Sequence, residues 1–367
     1  VQASRLYGWQ LSYFTGKALC YLRHQRVDFE LCPVDLFTLT RRIRRHTGAV
    51  VMPVLVTPAG EWIHDTSRIV DHGEAHFGGP TVHPAAPVMR FASFLMEAWG
   101  DEWWVPMAMY TRWTHDENYP LFEREAGAAL LPALPGFVQR RAAATVARRL
   151  RGMLPAVGVR PEQHAAMDAW MATMLDRLDA HFAHHPFLFG PRPMLGDFGL
   201  VGTMLAHLGR DPWPARELIA PRPRLRAWID RMADPGLEAP PGPDASVEST
   251  LPAPTLTPVF EAIAREFVPL LDGIAAQVRE LLVRWPAGRP LPRGLGDVEV
   301  PMGRARFRRA ALPYTLWMAQ RVLDAYRAMA PGDRAEVEAW LASIGGAALL
   351  RLEIPRLRLH GVRVAAA

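Results

Sequence analysis

Two short stretches of this 367-residue chain combine residue types from which a ligand site can be built. The first is Met52-Pro53, inside the β-branched run Val50-Val51-Met52-Pro53-Val54-Leu55-Val56. An X-Pro bond is only slightly biased against cis. A kink there leaves the backbone N–H and C=O of the preceding residue without ladder partners; the plainer reading is that Pro53 ends an edge strand. The second stretch is Asp65-Thr66-Ser67, which has the chemistry to cap a helix running to His76. A helix start presents N–H groups and the positive end of its dipole to a carboxylate. Capping by itself needs no ligand.

Other constellations are weaker. His72 and His76 stand one helical turn apart, as do His181 and His185, but neither pair comes with the glutamate of His-Glu-x-x-His. A polar helix face explains both, and no metal is expected. Cys20 and Cys32 are too few for a disulfide scaffold or a cysteine-rich metal centre. Gly-x-Ser-x-Gly and the phosphate-loop pattern are absent, which argues against a serine hydrolase or an NTPase.

The elements that must position these residues can be read from spacing and punctuation. Residues 4 to 77 give the order β-α-β-(α)-β-β-α. Strands are expected over 5–9, 27–34 and 50–56, with a hairpin arm at 61–63 and helices over 16–25 and 66–76. Gly78 to Pro87 reads as a linker. Beyond it, 88–110, 164–185, 197–208 and 224–232 carry helical spacing, and 120–163 gives one arginine-rich amphipathic helix. Seven prolines between Pro235 and Pro258 mark a second boundary. Next comes a helix starting at Thr257-Pro258 and kinked near Pro269. Two more helical patterns cover 312–344, and the alternating tail from Leu350 to Val364 reads as strand. The domains expected are 1–79, 88–235 and 256–367.

Composition narrows the function classes. Half the residues are hydrophobic and 22% charged, enough for large cores. No stretch approaches the ~18 consecutive apolar residues of a membrane span, and the first residues lack the pattern of a signal peptide. The cytoplasm is the expected compartment, with no membrane partner. Net charge is +5, yet Lys17 is the single lysine among 42 basic residues. Arginine clusters at 41–45, 148–151 and 304–309 come with no nucleic-acid-binding motif, so solvated or ion-paired faces are expected and no nucleic-acid partner.

Together, the β-α-β…β-β-α order, Met52-Pro53-Val54-Leu55 before a hairpin, and Asp65-Thr66 opening the last helix resemble the thioredoxin-like domain of glutathione S-transferases. Pro186 to Phe198, ending Leu195-Gly196-Asp197-Phe198, is similar to the motif that opens the core helix of that family's second domain. The resemblance covers roughly residues 4 to 235. Residues 240 to 367 resemble only an extension found in some bacterial members. The fold class implied is α+β, mainly α: a thioredoxin-like βαβ-ββα domain, an all-helical domain and a mainly helical extension. Met194 stands where the family's capping box has Ser or Thr, which leaves Asp197 to reach a main-chain N–H alone.

The resemblance implies glutathione as co-substrate. The backbone at Met52-Pro53 would pair with the tripeptide as a short added strand, and Asp65 and Thr66 would hold its γ-glutamyl end. A hydroxyl near the first helix would stabilise the thiolate. Ser12 aligns best, with Tyr13 and Thr15 within a turn of it. Ser12 and Thr15 fill the positions of a glutaredoxin-type Cys-x-x-Cys, so no dithiol chemistry is expected there. The activity implied is attack of the thiolate on a small hydrophobic electrophile, by a homodimer. Trp99, Trp103, Trp104, Met107, Met109, Tyr110 and Trp113 suit a core or the wall of a second-substrate pocket. The alternative is a non-catalytic binding or scaffold protein whose extension mediates assembly or occludes the site.

Overall fold

A computed structural model describes residues 3–237 and 249–367. Residues 238–248, within the proline-rich stretch expected to separate domains, lie outside the described residues.

The chain opens β1 (Ser4–Tyr7), α1 (Tyr13–His24), β2 (Phe29–Cys32), a wide-turned helical segment Thr38–Ile43 running into α2 (Arg44–Thr47), β3 (Val54–Val56), β4 (Trp62–His64) and α3 (Thr66–His76). Then come α4 (Pro87–Trp103), α5 (Val105–Thr114), α6 (Tyr119–Leu130), α7 (Gly136–Arg151), α8 (His164–Phe182), α9 (Leu195–Thr203), α10 (Pro212–Pro214) and α11 (Pro223–Ala233). The remainder holds α12 (Thr257–Ala262), α13 (Val268–Leu282), β5 (Asp297–Met302), β6 (Ala305–Ala310), α14 (Pro313–Arg327), α15 (Pro331–Ser343), β7 (Leu357–His360) and β8 (Arg363–Ala366). The chain divides into two compact units: Val1–Val82 with Ala108–Met153 and Leu200–Glu238, and His83–Met107 with Leu154–Gly199 and Ala239–Ala367.

The first unit is built on a sheet of order β2-β1-β3-β4, with β1 parallel to β2 and antiparallel to β3. Tyr7, Val34, Ile43, Val54 and Val56 form the core on one face, with Trp9 and Trp62 at its margin. Alternation sends Leu6, Leu55 and Ile63 to the opposite face, also buried. There α1 packs against α3 and α11. Its start, read from sequence at Gly16, is Tyr13: Ser12 is the N-cap, its Oγ accepting from the Thr15 N–H at 3.4 Å. Residues 119–151 form two packed helices, α6 and α7, rather than one.

The second unit gathers α4, α8 and the C-terminal elements around tryptophan. Trp170 meets Trp99, Trp103 and Trp104 edge-on, and Trp103 also meets Phe267 and Phe307. Edge-to-face contact matches the aromatic quadrupole. The extension is therefore part of this core: α14 and α15 both pack on α4. A wide-turned segment, Ile263–Phe267, sits just before Pro269, where the kink was expected, and absorbs its missing N–H.

The sequence reading missed the hairpin β5–β6, in which Val298 to Met302 alternate inward while Pro301 breaks the strand signal. Arg309 of the 304–309 cluster points in, contrary to the solvated face expected. It is 1% exposed and donates to the Glu102 carbonyl at 2.8 Å; burial pulls its pKa down to about 10. Residues 357–366 form a second hairpin, where one alternating strand was read. Asp197 does cap alone: its carboxylate accepts from the N–H groups of Met194 (3.0 Å) and Leu188 (2.9 Å).

Candidate functional site

Sheet register gathers the chemistry of the first unit at one end. Tyr7 stands opposite Val54, and Val54 opposite His64. With strands ~4.8 Å apart, these three residues lie in a row ~10 Å long. Gly8 follows from the first, Pro53 precedes the second and Asp65 follows the third. Residues far apart in sequence thus leave the sheet side by side.

Each exit is locally fixed. The Gly8 N–H extends the ladder to the Cys32 carbonyl at 3.1 Å, and Trp9 Nε1 donates to the Val34 carbonyl at 2.8 Å. The Ser12 N–H then closes a turn on the Trp9 carbonyl at 2.9 Å. The Met52–Pro53 peptide bond is cis. Asp65 adopts φ +78°, a left-handed value unfavourable for a residue with a Cβ. Compensation comes from its own carboxylate: Oδ1 accepts from the N–H groups of Ser67 (3.0 Å) and Arg68 (3.3 Å).

The residues singled out from sequence divide by exposure. Ser12, Met52 and Asp65 are half-buried at this end, while Pro53 and Thr66 are buried behind them. Tyr13 packs inward, its ring edge-on to His207 at 6.1 Å. Gly202 makes that possible, since a Cβ there would come within 2.9 Å of the Tyr13 ring. Thr15 is fully buried, and its hydroxyl has no hydrogen-bond partner. It fills the space over Gly8, where any Cβ would sit 2.6 Å from it. Among the three hydroxyls considered, Ser12 alone retains appreciable exposure.

Three charged arrangements escaped the sequence reading. Arg112 donates Nε and Nη2 to the Asp211 carboxylate (2.8 and 3.0 Å), Nη1 to the Leu11 carbonyl (2.7 Å) and Nη2 to the Ala206 carbonyl (2.6 Å). Burial pushes the Asp211 carboxyl up against the pull of that guanidinium. Lys17, fully buried, donates Nζ to Ser67 Oγ at 3.3 Å. Arg42 lies 5.7 Å over the rings of both Tyr7 and Trp62, and His46 stacks on Trp62 at 4.1 Å. Charged residues inside apolar helical stripes were the available signal for the first two. Nothing in local spacing links Arg112 to Asp211, 99 residues away.

The aromatic and methionine cluster is core. Trp99, Trp103, Trp104, Met107, Tyr110 and Trp113 are all buried, leaving Met109 half-buried. An open groove of about 590 Å³ is lined by Arg23, Arg26, Asp28, Phe29 and Ala233–Pro235, away from the sheet end described above. Among the described residues, no group of three or more His, Cys, Asp or Glu side chains could hold a metal ion. No helix among them is long and apolar enough to cross a membrane.

The end of the sheet thus brings together the half-buried Ser12, the start of β3 and the half-buried Asp65 with its positive φ at the start of α3. The sequence matches two family models: the N-terminal domain of glutathione S-transferases over residues 6–81, and their C-terminal domain over residues 161–231. The chain is a member of the glutathione S-transferase family. Solved structures similar to this family member include the Tau class enzyme from mango, Mangifera indica (18% identity, 64% of this chain and 90% of that one, TM-score 0.37). A glutathione S-transferase from Xanthobacter autotrophicus Py2 gives 21% identity over 65% and 96% of the two chains, with TM-score 0.37. A beta-etherase from Sphingobium sp. strain SYK-6 gives 18% identity over 63% and 95%, with TM-score 0.45. No curated protein matches the sequence.

Proposed function

We propose that this family member binds glutathione at the end of its four-stranded sheet and activates the thiol for attack on a small hydrophobic electrophile. The observation that carries the reading is the Tyr7–Val54–His64 row, which brings the cis Met52–Pro53 bond and the Asp65 helix start to the same edge. In this reading the Met52 backbone pairs with the tripeptide as an added strand. The start of α3, with Asp65 and Thr66, takes the γ-glutamyl carboxylate and ammonium. Ser12 donates to the sulfur and so favours thiolate. Its exposure supports it over Tyr13 and Thr15. A homodimer in the cytoplasm remains the assembly and compartment proposed.

The burial of the tryptophans favours a second reading, a glutathione-binding protein without turnover. Side chains suited to the wall of an electrophile pocket are spent on the core instead.

Calorimetric titration of glutathione and S-hexylglutathione into wild type and Asp65→Asn separates these cases. Asparagine tolerates the left-handed φ and keeps an acceptor for the Ser67 and Arg68 N–H groups, so the variant removes chiefly the charge. Saturable wild-type binding that weakens tenfold or more, about 1.4 kcal/mol, in Asp65→Asn supports the site. Turnover of a model electrophile then distinguishes transferase from binder. No binding of either ligand at millimolar concentration overturns both.

A further inference from the structure

The hairpin of α6 and α7 falls between the two matched family domains and inside neither. It is firmly built. The two helices pack on each other, and Gln139 Nε2 fastens the turn by donating to the carbonyls of Leu131 (3.1 Å) and Leu134 (2.9 Å). Ala143 and Ala147, one turn apart, are the buried residues of α7. At ~100° per residue, the helix turns Phe137, Arg141, Thr145, Arg148 and Arg149 away from them.

The charge on that outer face has no counterweight. From Leu131 to Arg160 the chain holds six arginines and no acidic residue. Arg160 pairs with Asp297, and Arg151 lies over the rings of Trp113 and Tyr119. Arg140, Arg141, Arg148 and Arg149 are exposed, and none makes an ion pair among the described residues. An arginine-rich composition does not by itself produce this, since acidic residues number 37 against 42 basic ones. The exposed Arg216, Arg226, Arg306 and Arg356 each sit on a carboxylate.

The same face is apolar at its ends. Phe137 is 62% exposed, with Leu134 exposed in the turn before it and Met153 just past the end of the helix. Arginines bracketed by apolar side chains match a surface that is anionic outside and apolar just beneath. Among the described residues no ion pair fixes these guanidinium groups in the planar geometry that bidentate recognition uses. A fluid bilayer needs only the sign of the charge. Two copies of this face would repel each other, which disfavours a self-complementary dimer contact.

We propose that the outer face of α7 docks on a membrane of anionic phospholipid. Arg141, Arg148 and Arg149 meet the phosphate groups, and Leu134, Phe137 and Met153 dip into the interface beside them. The helix is ~24 Å long and lies along the surface. The absence of a spanning helix concerns a different mode of membrane contact. This inference stands apart from the glutathione reading.

The test sediments the full chain with vesicles of phosphatidylcholine alone and of phosphatidylcholine with about 30% phosphatidylglycerol, at ~50 and ~500 mM salt. The mixed vesicles should bind at least tenfold more tightly, and high salt should release the protein. A triple variant, Arg141→Gln with Arg148→Gln and Arg149→Gln, should weaken binding tenfold or more. Phe137→Ser should weaken it several-fold and leave the salt dependence in place. Both variants should keep the wild-type thermal midpoint, because the positions are exposed. No binding to the mixed vesicles, or equal binding by the triple variant, overturns the proposal. A complex with a DNA duplex that is lost in the triple variant, with no vesicle binding, would give the face to nucleic acid and overturn it as well.

Discussion

Arg112 donates to the carbonyl of Leu11, the residue immediately before Ser12, at 2.7 Å. One guanidinium thus ties α5 to the turn that presents the candidate thiolate donor, and its other face is held bidentately by Asp211. Both side chains are buried, so each depends on the other for solvation. The planar fork matches the carboxylate and leaves one amino group for the Leu11 carbonyl.

Removing either partner strands a buried charge, and the expected loss is ~3–5 kcal/mol. Arg112→Ala and Asp211→Ala should each lower the urea midpoint strongly, and the double variant should lose much less than the sum of the two. Arg112→Lys should fall between, because an ammonium cannot serve Asp211 and both carbonyls in the same geometry. A loss under ~1 kcal/mol for Arg112→Ala would mean that water replaces the guanidinium and that the latch is not structural.

Ser12 and Thr15 should respond in opposite directions. Ser12→Ala removes the N-cap of α1, at ~1 kcal/mol, and on the proposed function raises the pKa of bound glutathione, read from thiolate absorbance against pH. Thr15→Val removes a buried hydroxyl with no partner and keeps the shape that packs over Gly8. Replacing an unsatisfied polar group by an isosteric apolar one should be neutral or stabilising by up to ~1 kcal/mol, with the thiol pKa unmoved. If Thr15→Val moved that pKa while Ser12→Ala did not, the assignment of the donor would be reversed.

How much could be read in advance depends on how local each signal is. Met52-Pro53 and Asp65-Thr66 announce themselves within two residues, because proline and capping side chains punctuate the chain directly. Their placement on one sheet edge needed only the strand order. The start of α1 was read three residues late, since Tyr13, Phe14 and Thr15 carry weaker helical preference than the cap at Ser12 carries information. Arg309 reads by charge as part of a solvated face, and nothing in local spacing marks Lys17 as buried; burial of a charged group is decided by partners brought in from elsewhere, among them Glu102 and Ser67. The tryptophans gave the right helices, but wall and core share one residue preference, and Phe267 and Phe307, which complete the core, come from the extension.

The two cysteines should differ in reactivity. Cys20 is fully enclosed in α1, and burial pushes its thiol up to about 12. Cys32 is half-buried on the edge strand β2, with burial and Glu30 raising its pKa more modestly. Since thiolate is the reacting form, a disulfide reagent at pH 8 should label one thiol per native chain and two after denaturation. Labelling of both in the native protein at similar rates would show that α1 opens locally, and the Cys32→Ser variant identifies which thiol reacts.

Acid should weaken the fold through two histidines. His207 is buried and holds the Ala108 carbonyl through Nδ1 at 3.0 Å; burial first, and Arg112 second, push its pKa well below the usual value. His181 lies between the Thr255 hydroxyl on Nδ1 (2.8 Å) and the Phe187 carbonyl on Nε2 (3.2 Å), and burial lowers its pKa to about 3. That pairing fits a neutral ring which donates from Nε2 and accepts at Nδ1. Because both folded-state pKa values are depressed, the unfolded chain binds more protons below about pH 6.5, and the stability these rings contribute declines as pH falls from there toward 3. At pH 5 His181 should have cost about 2 kcal/mol relative to pH 7, with His207 acting in the same direction. Urea denaturation at pH 7, 6 and 5 should therefore show a falling midpoint, and His181→Gln, which keeps a donor and an acceptor but cannot titrate, should flatten part of the slope. A pH-independent midpoint across that range would mean that the rings take up protons in place, with carbonyl partners close enough to stabilise imidazolium despite burial.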